Sequence, residues 1–418
     1  MPLLITNIAQ LVTLAGDSSV VRRRDAMCEL AVVRDGCVLV DHGGNIGYSG
    51  AASGADLQVS LAGLKTSHTE IDAGGRCVTP GLVDSHTHLV FAGDRAAEFY
   101  RRCAGETYAD IAKSGGGIAS TVRATRSASE DELVELALAR LERNATNGTT
   151  TVEIKSGYGL SRDDELKMLR AIRRLREQSP LNMFSTYMGA HSIPMEFAND
   201  RSSYVRQVVE AIPQIATETL AEFVDIFVDP LAFTHDEAVP IIEAAMHAGL
   251  KVKLHGDEFS DNQTAAFGVI AKAISIDHLG GISDAGIEAL AASTTIATLL
   301  PGTMFFSGHG CYAPARRMID AGCAVALASD LNPGSSHIYS VPFIMTLACL
   351  QMGMTAAEAL TACTINAAHA LGDADRIGSI EAGKRADLVI WDCDSYEQIP
   401  YHVGTNLAHT VICGGQVV

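Results

Sequence analysis

The sequence lacks the patterns that mark several common classes of protein. Its ten cysteines form no C-x-x-C pair and are scattered through 418 residues without regular spacing. In a chain of this length such thiols are typical of a reducing compartment, so we expect a cytoplasmic protein without a disulfide framework. No apolar run is long enough for a membrane span, and no basic signal segment opens the sequence. We therefore expect neither targeting nor membrane insertion.

Positive charge is also scarce. The sequence has 31 Lys and Arg against 49 Asp and Glu, which gives a net charge of −18. A surface of this sign repels phosphate backbones and anionic lipids, so nucleic acid and membranes are poor candidates as partners. A small anionic substrate would need a basic group placed locally to hold it.

The composition that is present is that of a folded protein with more than one core. Hydrophobic residues make up 47% and charged residues 19% of the chain, and the length predicts one large domain plus a smaller one. Short β-rich segments separated by glycine turns occur near both ends. Because neither end has enough strands for a stable sheet, we predict that residues 1–76 and 372–418 form one small β-sandwich.

Between the two ends, β-rich runs alternate with helical stretches. Ser129 and Thr234 each open a helical stretch with a capping box. This alternation predicts an α/β fold with a (β/α)8 TIM-like barrel over residues 77–371. A doubly wound sheet is the alternative, but no G-x-G-x-x-G opens a helix. The eight runs are residues 78–83, 150–154, 184–188, 223–228, 251–254, 273–276, 295–299 and 324–328.

Residues capable of metal or acid–base chemistry follow several of these runs. Active sites of barrels lie at the carboxyl ends of the strands. His86 and His88, one residue apart, would project from the same face of the first strand. Such a pair is weak by itself, since two core or surface histidines would look the same. The other strand ends supply His191, His255, Glu258, Asp277, His278 and Asp330.

Four of these residues predict a metal site. His86, His88, His255 and Asp330 offer three neutral nitrogens and one carboxylate, which leaves a coordination position for water on Zn²⁺ or iron. The alternatives are a core histidine at position 255 and a turn aspartate at position 330. A second metal would need a bridging group on the fourth strand, where the chain offers Asp229. We therefore predict one metal ion.

A hydrolase built on such an ion must still move a proton from the attacking water to the leaving nitrogen. Glu258, three residues after His255, is the predicted general base and then acid. His278 would orient the water or stabilise the oxyanion, and Asp330 could share the proton transfer. The alternatives are a solvated loop carboxylate and a structural histidine.

These motifs resemble the amidohydrolase superfamily, and the longer segments around them resemble its imidazolonepropionase family. The resemblance implies a hydrolase of histidine degradation that opens the ring of 4-imidazolone-5-propanoate to N-formimidoyl-L-glutamate with one Zn²⁺ or iron ion. It also suggests a homodimer. The segments that carry it are residues 84–95, 115–118, 153–160, 189–191 and 330–336.

The resemblance further implies which residues bind the substrate. Arg95 would grip the propanoate, which agrees with the need of an acidic protein for a placed guanidinium. A surface ion pair for Arg95 and a packing role for Tyr158 are the alternatives. The other implied substrate contacts are Tyr158, His191, Glu258, Asn332, Gly334 and Ser335.

Two other functions remain open from the sequence. A deaminase of the same superfamily would share the metal ligands and Glu258 but would have no reason to keep Arg95 with Tyr158. A barrel without catalytic activity, acting as a scaffold, would have no reason to keep the ligands and the base. The long segment 89–126, with glycines at 115–117, could be a lid or a static loop.

Overall fold

The computed structural model describes residues 2–64, 67–106, 110–111, 114–230 and 232–418. Within this part of the chain the strands form two sheets, one of seven strands and one of eight. None of the described helices combines the length and the apolar character needed to cross a membrane.

The seven-stranded sheet is built from both chain ends, as predicted. β1 pairs with β2 in antiparallel and with β4 in parallel orientation. β13 joins the two ends because it pairs antiparallel with both β4 and β14. The strands are β1 (Leu3–Val12), β2 (Val32–Val40), β3 (Ile46–Ala51), β4 (Thr69–Pro80), β13 (Leu388–Trp391), β14 (Ala408–Cys413) and β15 (Gln416–Val417), in the order β15-β14-β13-β4-β1-β2-β3.

This sheet bends so that its two sides share one small core. The amide of Ile46 donates to the Lys384 carbonyl at 2.8 Å, and the amide of Ala386 donates to the Gly44 carbonyl at 2.9 Å. These bonds bring the turn before β3 to the segment before β13. The core between them contains buried aliphatic side chains from both chain ends, among them Ile5, Val38, Ile46, Leu388 and Ile412.

The eight-stranded sheet is entirely parallel and forms the barrel. Six of its strands overlap the predicted runs closely, one shares only residues 275–276 with its predicted run, and the eighth, β5, is shorter and lies later than predicted. The strands are β5 (Leu82–Asp84), β6 (Thr149–Lys155), β7 (Asn182–Ala190), β8 (Phe223–Val228), β9 (Lys251–Gly256), β10 (Ser275–His278), β11 (Ile296–Leu299) and β12 (Ala324–Leu327).

The prediction for the first barrel strand was wrong because one apolar run serves two sheets. Val78 pairs with Ile390 in the sheet of the chain ends. The chain then passes into the barrel at Gly81, where an added Cβ would lie 2.1 Å from Thr150 Oγ1. Only glycine permits this close approach between the strands. β4 thus crosses the expected boundary at residue 76, and the division of the chain at 76 and 371 stays a prediction.

Helices surround the barrel, and the predicted capping boxes are present at Ser129 and Thr234. The described helices are α1 (Ala55–Leu64), α2 (Ala96–Cys103), α3 (Ile118–Ser127), α4 (Glu130–Thr146), α5 (Arg162–Gln178), α6 (Arg201–Thr217), α7 (His235–His247), α8 (Thr264–Ile270), α9 (Asp284–Ala291), α10 (Pro301–Ser307), α11 (Ala315–Ala321), α12 (Val341–Met352), α13 (Ala356–Ala362), α14 (Ile365–Leu371) and α15 (Gln398–Tyr401), with 3-10 turns at Arg24–Cys28 and Met195–Phe197.

The barrel closes beyond the ends of its first and last strands. The amide of Asp330 donates to the His86 carbonyl at 3.1 Å, and the amide of His88 donates to the Leu331 carbonyl at 2.8 Å. Nearer the amino end of the barrel, within β5, the amide of Val83 instead donates to the Cys363 carbonyl at 2.8 Å. We call the two upper bonds the barrel seam. The backbone that forms this seam therefore carries three of the four predicted metal ligands.

Candidate active site

The structure brings the four predicted metal ligands together at the carboxyl end of the barrel. Asp330 Oδ1 lies 3.5 Å from His86 Nε2 and 3.6 Å from His88 Nε2. The Nε2 atoms of His88 and His255 are 3.3 Å apart. All four side chains are almost fully buried. The ligand atoms of His86, His88 and His255 lie within 4.8 Å of one another, and so do those of His86, His278 and Asp330, so two groups that share His86 converge here.

The state of these histidines fits a divalent cation. His86 Nδ1 is 2.6 Å from Asp277 Oδ2, and His255 Nδ1 is 3.0 Å from Asp225 Oδ1, so Nε2 of each ring faces the point of convergence. His86 Nε2 is buried without a hydrogen-bond partner among the described residues. Burial lowers the pKa of His86 well below its usual value, which keeps the ring neutral and its lone pair available.

Asp277 and Asp225 give the two rings the carboxylate partners that usually orient metal-binding histidines. Asp330 adds a hard oxygen donor to the nitrogen donors, a set that accepts zinc or iron. The histidine cluster is therefore a candidate metal site.

Beneath this cluster lies a layer of buried charges that we did not predict. Lys155 Nζ is 2.7 Å from both Glu153 Oε1 and Asp225 Oδ2, and Lys253 Nζ donates to the Ser85 carbonyl at 2.8 Å. Although burial opposes it, the carboxylates of Asp225 and Glu153 raise the pKa of Lys155, which stays ionised. This layer of charges connects to the imidazole of His255 through Asp225 and to that of His86 through Asp277.

Alternation within the strands was the signal that could have revealed this layer. Lys253 and His255 are two residues apart on β9, and Glu153 and Lys155 are two apart on β6. Residues two apart in a strand point to the same side, so a lysine two positions before a candidate ligand points into the barrel. A lysine in such a place must have acidic partners there.

Glu258 and His278 lie next to the histidine cluster. Glu258 Oε1 is 3.6 Å from His278 Nδ1, and the His278 ring centre is 5.6 Å from that of His86. Burial raises the pKa of Glu258 well above its usual value, and the carboxylates of Asp330 and Asp229 add to the shift. A carboxyl group whose pKa is raised by burial is better suited than an ordinary glutamate to take up a proton and return it.

Two residues of the site have unusual backbone conformations. His278 has φ +81° and Asp330 has φ +53°, in the left-handed region that side chains other than glycine seldom adopt. Such conformations persist where the surrounding structure enforces them, and they are frequent at functional sites.

The predicted aromatic contacts lie on the opposite side of the cluster. The His191 ring stacks on His88 at 4.8 Å between centres, and the Tyr158 and His191 rings are 5.3 Å apart. Burial, more than the neighbouring His255, lowers the pKa of His191 to about 4, so its ring is neutral. Because its Nδ1 lies 2.9 Å from the Gly157 carbonyl, that nitrogen carries the proton and donates.

Arg95 lies against the loop that follows Asp330. A Cβ added to Gly334 would lie 1.9 Å from Arg95 Nη1, so glycine leaves the space that the guanidinium occupies. Asn332 Oδ1 accepts the amides of Gly334 and Ser335, each at 2.8 Å, which shapes this loop. The structure therefore brings the predicted substrate contacts Arg95, Asn332, Gly334 and Ser335 together.

Glu98 is a further residue of this region that we did not predict. Its Oε2 accepts Arg95 Nε at 2.8 Å, and its Oε1 accepts the amide of Gly117 at 3.0 Å. Glu98 thus ties the guanidinium to the glycine segment of 115–117. Residues 107–109 and 112–113 of the proposed lid lie outside the described residues, and its role as a lid stays a prediction.

A family model places the chain among known proteins. The model of the "Amidohydrolase family" matches residues 77–418. A curated imidazolonepropionase from Porphyromonas gingivalis is 48% identical over 419 residues, covering 100% of this chain and 97% of that protein. Another, from Geobacillus kaustophilus, is 46% identical over 419 residues, covering 100% of this chain and 98% of that protein.

Solved structures share the fold. An adenosine deaminase from Xanthomonas campestris with bound zinc has a TM-score of 0.72 at 18% identity, covering 99% of this chain and 92% of that one. The guanine deaminase of E. coli has a TM-score of 0.71 at 13% identity, covering 100% of this chain and 99% of that one. At such identities the likeness concerns the barrel and the attached sheet alone.

Proposed function

The chain belongs to the amidohydrolase family and, within it, to the imidazolonepropionases, and from this membership we propose that it hydrolyses 4-imidazolone-5-propanoate. Water adds to the ring carbonyl carbon, the bond from that carbon to the ring nitrogen breaks, and N-formimidoyl-L-glutamate is released. This is the ring-opening step of histidine degradation.

The observation that carries the proposal is the placement of Arg95 beside the loop that begins at a metal ligand. Asn332 Nδ2 donates to the Asp330 carbonyl at 2.7 Å, so the ligand and the loop under Arg95 form one hydrogen-bonded unit. A deaminase of an uncharged base has no carboxylate for this guanidinium. An imidazolone with a propanoate side chain has one.

We propose that His86, His88, His255 and Asp330 hold a single Zn²⁺ or iron ion. Two observations support this assignment: the groups His86, His88, His255 and His86, His278, Asp330 share one imidazole, and among the described residues the buried His86 Nε2 has no hydrogen-bond partner. When bound, the ion would polarise the ring carbonyl and lower the pKa of the attacking water.

The protein's own groups would move the protons. Glu258 accepts the proton of the attacking water and returns it to the leaving ring nitrogen, for which its raised pKa is suited. His278, 3.6 Å from that carboxylate, donates a hydrogen bond to the oxygen that gains negative charge. Asp330 shares the proton transfer in this proposal.

Binding would use the other half of the site. Arg95 pairs with the propanoate beside the loop of Gly334 and Ser335, which Asn332 Oδ1 holds through their amides. Tyr158 and neutral His191 pack against the ring, where the free nitrogen of His191 can accept a ring N–H. Glu258 contacts the substrate from the side of the proton transfer.

The test follows the loss of imidazolone ultraviolet absorbance, with the compound generated in situ by urocanase. The purified protein should consume it, lose activity on chelation and regain it with added metal, and metal analysis should find about one ion per chain. If metal is bound but the imidazolone persists while guanine or cytosine is deaminated, the deaminase alternative replaces the proposal. If neither metal nor turnover is found, the barrel is a scaffold.

We also propose a homodimer in the cytoplasm that binds neither nucleic acid nor membranes. The ten free thiols and the net charge of −18 support the location and the absence of these two partners. The mass in solution, measured by light scattering, tests the dimer; a mass near 44.1 kDa would contradict it.

A further inference from the structure

One buried carboxylate near the site has no part in the chemistry described above. Glu165, on the first turn of α5, is almost fully buried. Its Oε1 accepts the amides of Gly159 and Leu160, each at 2.8 Å, and its Oε2 accepts the amide of Gly157 at 2.9 Å. One side chain therefore binds three backbone amides within four residues.

The same loop is held from its other side by Arg126. Arg126 Nε donates to the Gly159 carbonyl at 2.6 Å, and Nη2 donates to the Leu160 carbonyl at 3.0 Å. We call residues 156–160 the Tyr158 loop. Its amides point to a carboxylate and its carbonyls to a guanidinium, which fixes the backbone far more firmly than a solvated turn would be fixed.

The conformation of the Tyr158 loop depends on its hydrogen bonds to Glu165 and Arg126, which together we call the clamp. Gly157 has φ +105° and Leu160 has φ +48°, both in the left-handed region, which costs energy at a leucine. A Cβ on Gly159 would lie 2.5 Å from the amide nitrogen of Glu165, so the loop and the helix are in direct contact. The loop thus adopts a strained shape that its own sequence does not favour.

The clamp acts on two groups that face the substrate in the proposed function. Tyr158 lies between the clamped residues, and the Gly157 carbonyl accepts the Nδ1 hydrogen of His191 at 2.9 Å. The two rings are 5.3 Å apart. Releasing the loop would therefore free Tyr158 and at the same time remove the acceptor that sets the tautomer of His191.

We propose that Glu165 is a positioning residue for substrate binding, which holds Tyr158 and His191 against the ring through the backbone of the Tyr158 loop. The inference rests on the proposed function. Glu165 would act on affinity and not on bond breaking, since the Tyr158 loop follows β6 whereas the proposed metal ligands and Glu258 lie at or after the ends of other strands. This separation gives the inference a kinetic signature that a merely structural residue lacks.

The test replaces Glu165 by glutamine. This keeps the size of the side chain but replaces one acceptor oxygen by an NH2 group, which faces the backbone amides of the loop. KM should rise about tenfold or more, the factor expected when a buried donor loses its acceptor, while kcat changes less than about threefold. The Kd of 3-(imidazol-4-yl)propanoate, which keeps ring and carboxylate but has no carbonyl to attack, should rise in parallel. Calorimetry measures it without turnover.

The matched control is Glu358→Gln. Glu358 is also buried and accepts a backbone amide, that of Thr355 at 2.7 Å, but it belongs to the capping box of α13. It should lower the melting temperature without changing KM or the Kd of the analogue. An equal effect of both variants on KM would overturn the inference, because loss of any buried carboxylate would then suffice.

Two further variants keep the test decisive. If Glu165→Gln does not fold, Arg126→Met releases the loop from its more exposed side and should raise KM in the same way. In a Tyr158→Phe background, the effect of Glu165→Gln on Kd should shrink; full additivity would overturn the inference. If the wild-type protein is active and Glu165→Gln has the same KM, the inference fails and the proposed function stands. If the wild-type protein does not hydrolyse the imidazolone, both fail.

Discussion

Replacing Arg95 by methionine tests how the site reads the carboxylate of its substrate. The Arg95 side chain is only 13% exposed, and its Nε donates to Glu98. Among the described residues no group hydrogen-bonds to its two terminal nitrogens, so both can serve a ligand. Two charge-assisted hydrogen bonds contribute about 1.5–3 kcal/mol each before partial solvation reduces them. A net loss of about 2–4 kcal/mol predicts that KM rises roughly 30- to 1,000-fold.

The kinetic pattern matters more than the size of the effect. Since the guanidinium contacts a part of the substrate that does not react, kcat should change little. Arg95→Lys should fall between wild type and Arg95→Met, because an ammonium keeps the charge but loses the paired geometry. Absorbance assays over a range of imidazolone concentrations separate the two constants.

Arg101→Met is the matched control. Arg101 lies on the same helix α2, and its Nε donates to Glu106 Oε2 and its Nη1 to Ser114 Oγ, each at 2.9 Å. It is a neighbouring cation with other partners, so its loss should change KM less than about threefold. The decisive comparison uses an imidazolone with a methyl group in place of the propanoate. If Arg95→Met lowers kcat/KM for this neutral compound as much as for the anion, Arg95 does not read the carboxylate.

Three further perturbations test the rest of the site. Asp277→Asn should weaken metal binding about 10- to 100-fold, because the amide no longer orients its imidazole, and titration against a fluorescent chelator measures this; an unchanged affinity would contradict the assigned tautomer. Glu258→Gln should lower kcat about 10²- to 10⁴-fold with normal metal content. Because burial raises the pKa of Glu258, wild-type kcat should fall as the pH drops through a value above that of an ordinary glutamate, and an acid limb at the ordinary value would refute its role. Chelation should lower the melting temperature and selectively speed hydrogen exchange at the barrel seam; uniform loss of protection would speak against a local effect.

The barrel could be predicted well from the sequence because its strands are apolar and are separated by helical stretches with recognisable start signals. Strands buried on both faces appear as continuous runs, and Phe223–Val228 has the bounds that were predicted. Of the strand Thr69–Pro80, only residues 78–80 were predicted, and they were assigned to the barrel. It contains charged residues and the pair Gly74-Gly75, and it becomes a strand because β1 and β13 pair with it from both sides. Tertiary pairing here outweighs local preference.

The candidate site also contains residues that local sequence signals predict and residues that depend on distant partners. The histidine cluster could be predicted because its members stand at or just after strand ends, where the barrel architecture converts a position along the chain into a position in space. The buried charged residues could not be predicted, because each is stabilised by a partner that is far away along the chain. Lys155 and Asp225 are 70 residues apart, and neither is unusual by itself. Glu165 was overlooked for a related reason, since it resembles any acidic residue in the first turn of a helix.

The barrel seam connects the fold with the chemistry. Along β5 and β12 the two terminal strands do not pair in the described sheet, and the ring closes through the backbone of residues 86–88 and 330–331. A metal ion held by His86, His88 and Asp330 would therefore join the first and last strands across the place where they have fewest bonds of their own. The buried lysines beneath it join the middle strands to the same carboxylates that orient the ligands. Metal affinity and barrel closure would thus depend on one set of residues, so we expect a substitution there to change both, whereas we expect release of the Tyr158 loop to change affinity for the substrate alone.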